Sequence, residues 1–224
     1  MSLLGSAALA MWWDVADDVL LEFEDWHTHE HFPERLGIPG FRRASRWRSA
    51  VGGGVFVMYE LADYGVLSSS HYLERLNAPS AWSTKMMRHH RNMVRSQCRV
   101  LESRGGGIAR HALTVRLAPA EERGALLRDA LRSTIERLVT RPGITGGHLL
   151  QHQRPAIAAT TEQKMRGGDH EADWILVVTG YDARALDQIA IAEAGAALLD
   201  AGAAPGAQAA VYSLSASATP TDVA

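Results

Sequence analysis

The chain writes one phrase twice. Glu34-Arg35-Leu36-Gly37-Ile38-Pro39-Gly40-Phe41 closes a helical stretch and opens a strand, and Glu136-Arg137-Leu138-Val139-Thr140-Arg141-Pro142-Gly143-Ile144 does the same in the second half. Two copies of a helix-to-strand junction imply two copies of one structural unit. The units are expected at 1–106 and 107–216, with Gly105-Gly106-Gly107 as the joint and 217–224 as a polar, disordered tail.

Within the first unit, residues 8–13 form a continuous apolar run that suits a strand buried on both faces. Asp14 is placed to cap the helix that follows, and Val15, Val19, Phe23 and Trp26 recur at spacings of three and four, so they share one helical face. Pro33 lacks a backbone donor and predicts that the helix breaks or restarts near His31, leaving Phe32 to Leu36 as a short separate turn. Residues 41–61 read as a hairpin turning on Gly52-Gly53-Gly54. With those glycines as the loop, Val51 faces Val55, Trp47 faces Tyr59 and Arg46 faces Glu60. Alternation then puts Trp47, Tyr59 and Arg43 beneath the helices, and Arg42, Arg46 and Arg48 on the opposite side with Glu60, which pairs with Arg46. Residues 66–94 are mostly helical, with Ser80 capping a helix that carries Trp82, Met86 and Met93, and 97–102 is a strand.

The second unit repeats the order. Strands are expected at 111–117, 147–153, 174–179 and 209–214, and helices at 119–139 and 183–201. Residues 154–173, with Gly167-Gly168, are longer than a hairpin needs, which marks a mobile loop or a flap over a site. Strand, helix, strand, strand, helix, strand is the ferredoxin-like order. The fold class is therefore α+β, built from two tandem ferredoxin-like units whose bare sheet faces pack together.

Composition limits the partners. Lys+Arg 23 against Asp+Glu 25, for a formal net charge of -2, supplies no basic field for a phosphate backbone, so no nucleic acid partner is expected. The single Cys98 cannot form an internal disulfide, and no apolar run reaches the roughly 20 residues that cross a bilayer. A cytoplasmic protein without a membrane partner, monomer or homodimer, is the expectation. Residues 3–13 do not read as a signal peptide, because no Lys or Arg precedes them and Asp14, Asp17 and Asp18 follow.

Trp26-His27-Thr28-His29-Glu30-His31-Phe32-Pro33-Glu34-Arg35-Leu36, continued by Pro39-Gly40-Phe41 and Tyr59-Glu60-Leu61, resembles EthD-like members of the dimeric α/β-barrel superfamily, here with both halves in one chain. The second half resembles it by topology. The resemblance implies an intrachain α/β barrel with a ligand cavity between a sheet and its covering helices. It also implies a range of activities: cofactor-free oxygenation of aromatic polyketides, lactone isomerisation, aldol-type cyclisation and, in remoter branches, haem chemistry.

His27 and His31 are four apart and lie on one helical face, continuing the Val19, Phe23, Trp26 stripe, whereas His29 points away. An imidazole there can take a proton from a phenol or enol near neutrality, and Tyr59 can bind or protonate the resulting oxyanion. The catalytic candidates are thus His27, His31 and Tyr59, with Trp26, Trp47 and Arg43 as ligand-binding residues around a small apolar or aromatic, polyketide-like molecule. The competing account gives both histidines a structural role, in a ligand-binding or assembly module without catalysis. No metal is expected: the pair is not a full His-Glu-x-x-His motif, and His148 and His152 sit about 13 Å apart along one strand. No cofactor is expected either, since no Cys-x-x-Cys-His attachment exists. Residues Arg88, His89, His90 and Arg91 read as a solvated edge and Cys98 as a structural thiol. The second unit is mainly structural, because Ser133-Thr134-Ile135-Glu136 stands where the first carries its histidines.

Overall fold

A computed structural model describes residues 2–154, 160–165, 169–193 and 196–223. The first half runs β1 (Ala7–Asp14), α1 (Leu20–Trp26), α2 (Phe32–Leu36), β2 (Phe41–Ser49), β3 (Gly54–Leu61), α3 (Ser70–Asn77), α4 (Ala81–Met87) and β4 (Arg91–Gly105). The second runs β5 (His111–Leu117), α5 (Gly124–Leu138), β6 (Ile144–His152), α6 (Thr161–Met165), β7 (Trp174–Gly180), α7 (Ala183–Glu193), α8 (Ala196–Asp200) and β8 (Gln208–Ala218).

The eight strands close into one antiparallel barrel in the order β1-β3-β2-β8-β5-β7-β6-β4. Each half contributes the same internal order, β4-β1-β3-β2 and β8-β5-β7-β6. The halves join where the second strand of one meets the last strand of the other, at β2 with β8 and at β4 with β6. This is the pairing that an internal duplication predicts, and it leaves no open sheet edge.

The repeated phrase is a backbone device. Gly40 and Gly143 take φ of +97° and +90°, a region open to glycine at no steric cost. Their carbonyls accept the N–H groups of Ala62 and Tyr181, the residues just past β3 and β7, at 2.8 and 2.9 Å. Each Pro-Gly therefore ties a helix end to the far end of its own hairpin.

Three apolar clusters follow from strand alternation. Trp12, Trp47, Phe56, Met58, Cys98, Leu150, Ile175 and Val177 fill the barrel interior. Outside it, Phe23, Trp26, Phe32, Leu36, Val57, Tyr59 and Met86 form the core beneath the first half's helices. Leu127, Leu131, Ile135, Leu176, Val178 and Leu186 do the same in the second half.

Several local expectations give way. Asp14 ends β1 and accepts from Asn92 Nδ2 at 2.8 Å instead of capping a helix. Phe32–Leu36 is a separate short helix, as Pro33 predicts, but the chain stays helical up to it instead of breaking. A π-helical turn over His27–His31 links α1 to α2, and the Phe32 N–H donates to the His27 carbonyl five residues back. The wider turn leaves room for a proline that has no N–H to contribute. Met93 lies in β4, which starts at Arg91, and β8 continues through residues 217 and 218, expected to open a loose tail, because Ala218 pairs with Ala44.

The hairpin register is off by three. Trp47 pairs with Phe56, Arg46 with Val57 and Arg48 with Val55, while Val51 lies exposed in the turn. The reason is Gly53, whose carbonyl receives the Val15 N–H at 3.0 Å and where a Cβ would meet the Val15 carbonyl at 1.9 Å. The turn therefore serves the end of β1 and starts at Ala50, directly after β2. The shift, with a bulge between Phe41 and Arg43, exchanges the faces of β2 beyond the bulge, while Phe41 stays beneath the helices. Trp47 enters the barrel. Arg46 turns to the helices, donating to Glu24 O and Thr28 Oγ1, and Arg43 rather than Arg46 pairs with Glu60, at 2.7 Å.

Candidate functional site

The α1, π turn and α2 run lies over β1 and β3, with α4 beside it. Between them is a cavity of about 30 Å³, room for about two waters, lined by Trp13, Trp26, His27, His31, Arg35, Tyr59, Tyr72, His90, Arg95 and Glu162 with Leu9, Met11, Leu76, Met87 and Met93. Of the sequence candidates, His27, His31, Tyr59 and Trp26 converge here. Trp47 and Arg43 do not: Trp47 is buried in the barrel with its Nε1 donating to Ala109 O, and Arg43 is held by Glu60 on the same inner side. The exchanged faces of β2 account for both.

The π turn keeps the two imidazoles together, with ring centroids 5.3 Å apart, both buried. His29 points outward to Asp25, as the helical geometry predicts. Trp26 packs on His31 at 4.6 Å and donates from Nε1 to Glu30 Oε1 and Ser83 Oγ. Phe32 meets the His27 ring at 4.5 Å. The histidine wall is therefore set by aromatic packing.

Burial, then the positive charges of Arg46, His90 and Arg35, hold His27 well below the ordinary imidazole range, so it is neutral near pH 7. Burial pushes the Tyr59 phenol far above its ordinary value, which keeps it a hydrogen-bond donor. Among the described residues, His27 Nδ1, Tyr59 Oη, Trp13 Nε1 and Arg35 Nη1 are buried polar atoms with no hydrogen-bond partner. Orphaned polar atoms of this kind are uncommon and costly. Here four of them belong to residues lining one small void.

Residues the sequence reading missed complete the wall. His90, expected in solvent, stacks on Trp13 at 4.8 Å between ring centroids and lines the cavity. Arg35 stands in the repeated Glu-Arg-Leu, but its counterpart Arg137 is exposed while Arg35 is buried. A buried guanidinium needs a counter-charge. Glu162 of α6 supplies it through Arg35 Nη2, and α6 is further tied to α3 where Asn77 Oδ1 accepts the Thr161 N–H at 3.1 Å. The second half thus reaches over the first half's cavity with part of the 154–173 excursion; Gly167 and Gly168 lie outside the described residues. The signal available was the length of that excursion, which marks a covering segment without naming Glu162.

In the second half, Leu127, Leu131 and Ile135 fill the corresponding space, and Ile135 packs directly on the Gly147 backbone. Burial raises the Cys98 thiol above its ordinary range, in keeping with a structural role. Among the described residues no group of three or more His, Cys, Asp or Glu side chains is placed to hold a metal ion. No helix of the described residues is long and apolar enough to cross a membrane.

The architecture is a ferredoxin-like α/β barrel closed by the two halves of one chain. Solved structures share it along nearly the whole length. An anthrone oxidase-like protein superposes with a TM-score of 0.68 at 12% identity, over 98% of this chain and 96% of that one. A putative monooxygenase from Fusobacterium nucleatum subsp. nucleatum gives 0.62 at 10%, over 97% and 96%. One from Lactobacillus acidophilus gives 0.59 at 9%, over 96% and 97%. At such identities the likeness establishes the fold. No protein-family model and no curated protein matches the sequence.

Proposed function

We propose that the protein binds a small aromatic or polyketide-like molecule between the helices and sheet of its first half and moves a proton on it without a cofactor. The observation that carries this reading is the set of unpartnered polar atoms on one cavity: a neutral imidazole nitrogen on His27 and a phenol on Tyr59 that stays protonated. A phenol or an acidic C–H placed against His27 or His31 would lose its proton to the imidazole. Tyr59 would donate to the oxygen on which negative charge develops. The depressed basicity of His27 is offset in that state, because the new oxyanion pairs with the imidazolium it creates. Trp26 and Trp13 supply flat walls. The name of the anthrone oxidase-like neighbour fits an aromatic substrate, and the Trp26-to-Leu36 segment supports placing the chain beside EthD-like proteins within the superfamily.

One observation favours a second reading. A void of about 30 Å³ is far smaller than any aromatic ligand, which suits a non-catalytic module whose cavity is filled by its own side chains. Thermal-shift screening with phenols and aromatic acids, followed by turnover assays on any hit, separates the two. Under the catalytic reading, His27→Ala and His31→Ala keep the fold and ligand-induced stabilisation while at least one loses about 10²-fold or more in turnover. Unchanged turnover in both variants removes the imidazoles from the chemistry.

A further inference from the structure

The cavity wall carries a charged donor that is only half used. Arg35 and Arg95 are both buried on its wall, and Glu162 is the carboxylate among its lining residues. Arg95 donates to Tyr72 Oη at 2.8 Å. Arg35 engages Glu162 through Nη2, while its Nη1 has no partner, so half of a fork built to grip both oxygens of a carboxylate is unused. The unpartnered Tyr59 hydroxyl is a second idle donor on the same wall, and its phenol senses the Arg35 charge. The one carboxylate among the lining residues comes from the other half of the molecule, on the short helix α6.

We propose that Arg35 is the seat for an anionic group of the ligand and that Glu162 is a resident stand-in for it: a small aromatic monocarboxylate binds by replacing the Glu162 carboxylate on the Arg35 guanidinium. This rests on the ligand-binding part of the function proposed above and narrows the ligand to an aromatic acid. Exchange preserves the charge balance of the buried guanidinium, since one carboxylate leaves as another arrives. It also gains contacts, because a free carboxylate can take Nη1 and Nη2 together and accept from Tyr59, which the tethered Glu162 does not do. The leaving side chain vacates volume beside the present void, so the smallness of the cavity is a property of the plugged state. Glu162 then acts as an internal competitor that sets a threshold concentration for the ligand.

Isothermal titration of the full chain with benzoate and with its neutral isostere benzamide tests this. Glu162→Gln is expected to bind benzoate about tenfold more tightly than the unaltered protein, the weight of one charge-assisted hydrogen bond no longer competed for, with benzamide unchanged. Arg35→Met is expected to erase the preference for benzoate. Equal gains for both compounds, or no gain or no binding of benzoate in Glu162→Gln, overturn the proposal. A measurement on the unaltered protein guards against variants that fold poorly: hydrogen exchange of the peptide spanning residues 161–165 should accelerate when benzoate is added, and unchanged or slower exchange counts against displacement. Benzoate has no acidic ring hydroxyl, so its binding is independent of proton transfer by His27. Turnover can fail while charge selection holds, and the reverse.

Discussion

Tyr59 separates the functional account of the cavity from the structural one by a single atom. Its ring is held edge-on by Phe32 and Phe41, with centroids at 5.8 and 5.5 Å, so the packing does not need the hydroxyl. The hydroxyl is buried without a hydrogen bond, which costs about 1–3 kcal/mol relative to a solvated group. Tyr59→Phe should therefore stabilise the protein by about 1 kcal/mol, roughly 2–4 °C in Tm for a chain of this length. The same change should weaken the binding of phenolic or acidic ligands found by screening. A stability gain with a loss of affinity identifies a strained group kept for its ligand. Lower stability in scanning calorimetry would show that the hydroxyl has a structural partner after all. At this scale the sequence spoke clearly where helical spacing applied, as in the convergence of His27 with His31. It was silent on Arg35, because a buried and an exposed arginine look alike until the counter-charge is known.

At the level of elements, what could be read depended on the range of the interactions that set each one. The strand at 111–117, the Ser80 cap, whose Oγ accepts the Ser83 N–H at 2.9 Å, and the Pro-Gly junctions are local, and they stand where periodicity and turn chemistry put them. The hairpin register is not local: it goes with a contact between Gly53 and Val15 and is not written within the segment itself. Misreading that register misplaced Trp47 and Arg43. The seam between β4 and β6 carries a related device. His148 Nε2–H donates to the Gly106 carbonyl at 3.2 Å, and in the neutral ring that burial favours Nδ1 accepts from the Ser103 hydroxyl at 2.9 Å. Burial pushes the His148 imidazole down to about 4. The unfolded chain therefore takes up a proton first as pH falls below about 6.5, and folded stability drops from there towards pH 4, by up to about 3 kcal/mol. His27, also depressed, adds loss of the same sign. Urea unfolding of His148→Gln between pH 7.5 and 4.5 should show a flatter acid limb than the parent. Parallel pH profiles for the two would place the acid sensitivity elsewhere.

The molecule as a whole behaves as a dimer written on one chain, yet its halves have ceased to be equivalent. Each supplies one edge of the two seams, and each sheet face alone would leave half of the barrel core, Trp12, Trp47 and Phe56 on one side and Ile175 and Val177 on the other, open to water. The dependence runs further in the first half. Ala216, Ala218 and Val223 from the end of the chain pack against its helical core, and Glu162 neutralises its buried Arg35. This asymmetry was legible in part: loss of the histidines from the second half's helix pointed to one site, while the traffic of side chains between halves was not visible, because it arises only on closure of the barrel. A fragment of residues 1–106 expressed alone should therefore lack cooperative thermal unfolding, since it exposes an apolar sheet face and a buried charge without its partner. Co-expression with residues 107–224 should yield a one-to-one complex that regains cooperative unfolding and the acid sensitivity of the intact chain. Should residues 1–106 instead melt cooperatively as a monomer in size-exclusion and circular-dichroism experiments, the second half would be an ornament to the site. The Arg35–Glu162 pair argues otherwise, because a guanidinium this deeply buried has to find its counter-charge somewhere, and here it finds it across the pseudo-symmetric boundary.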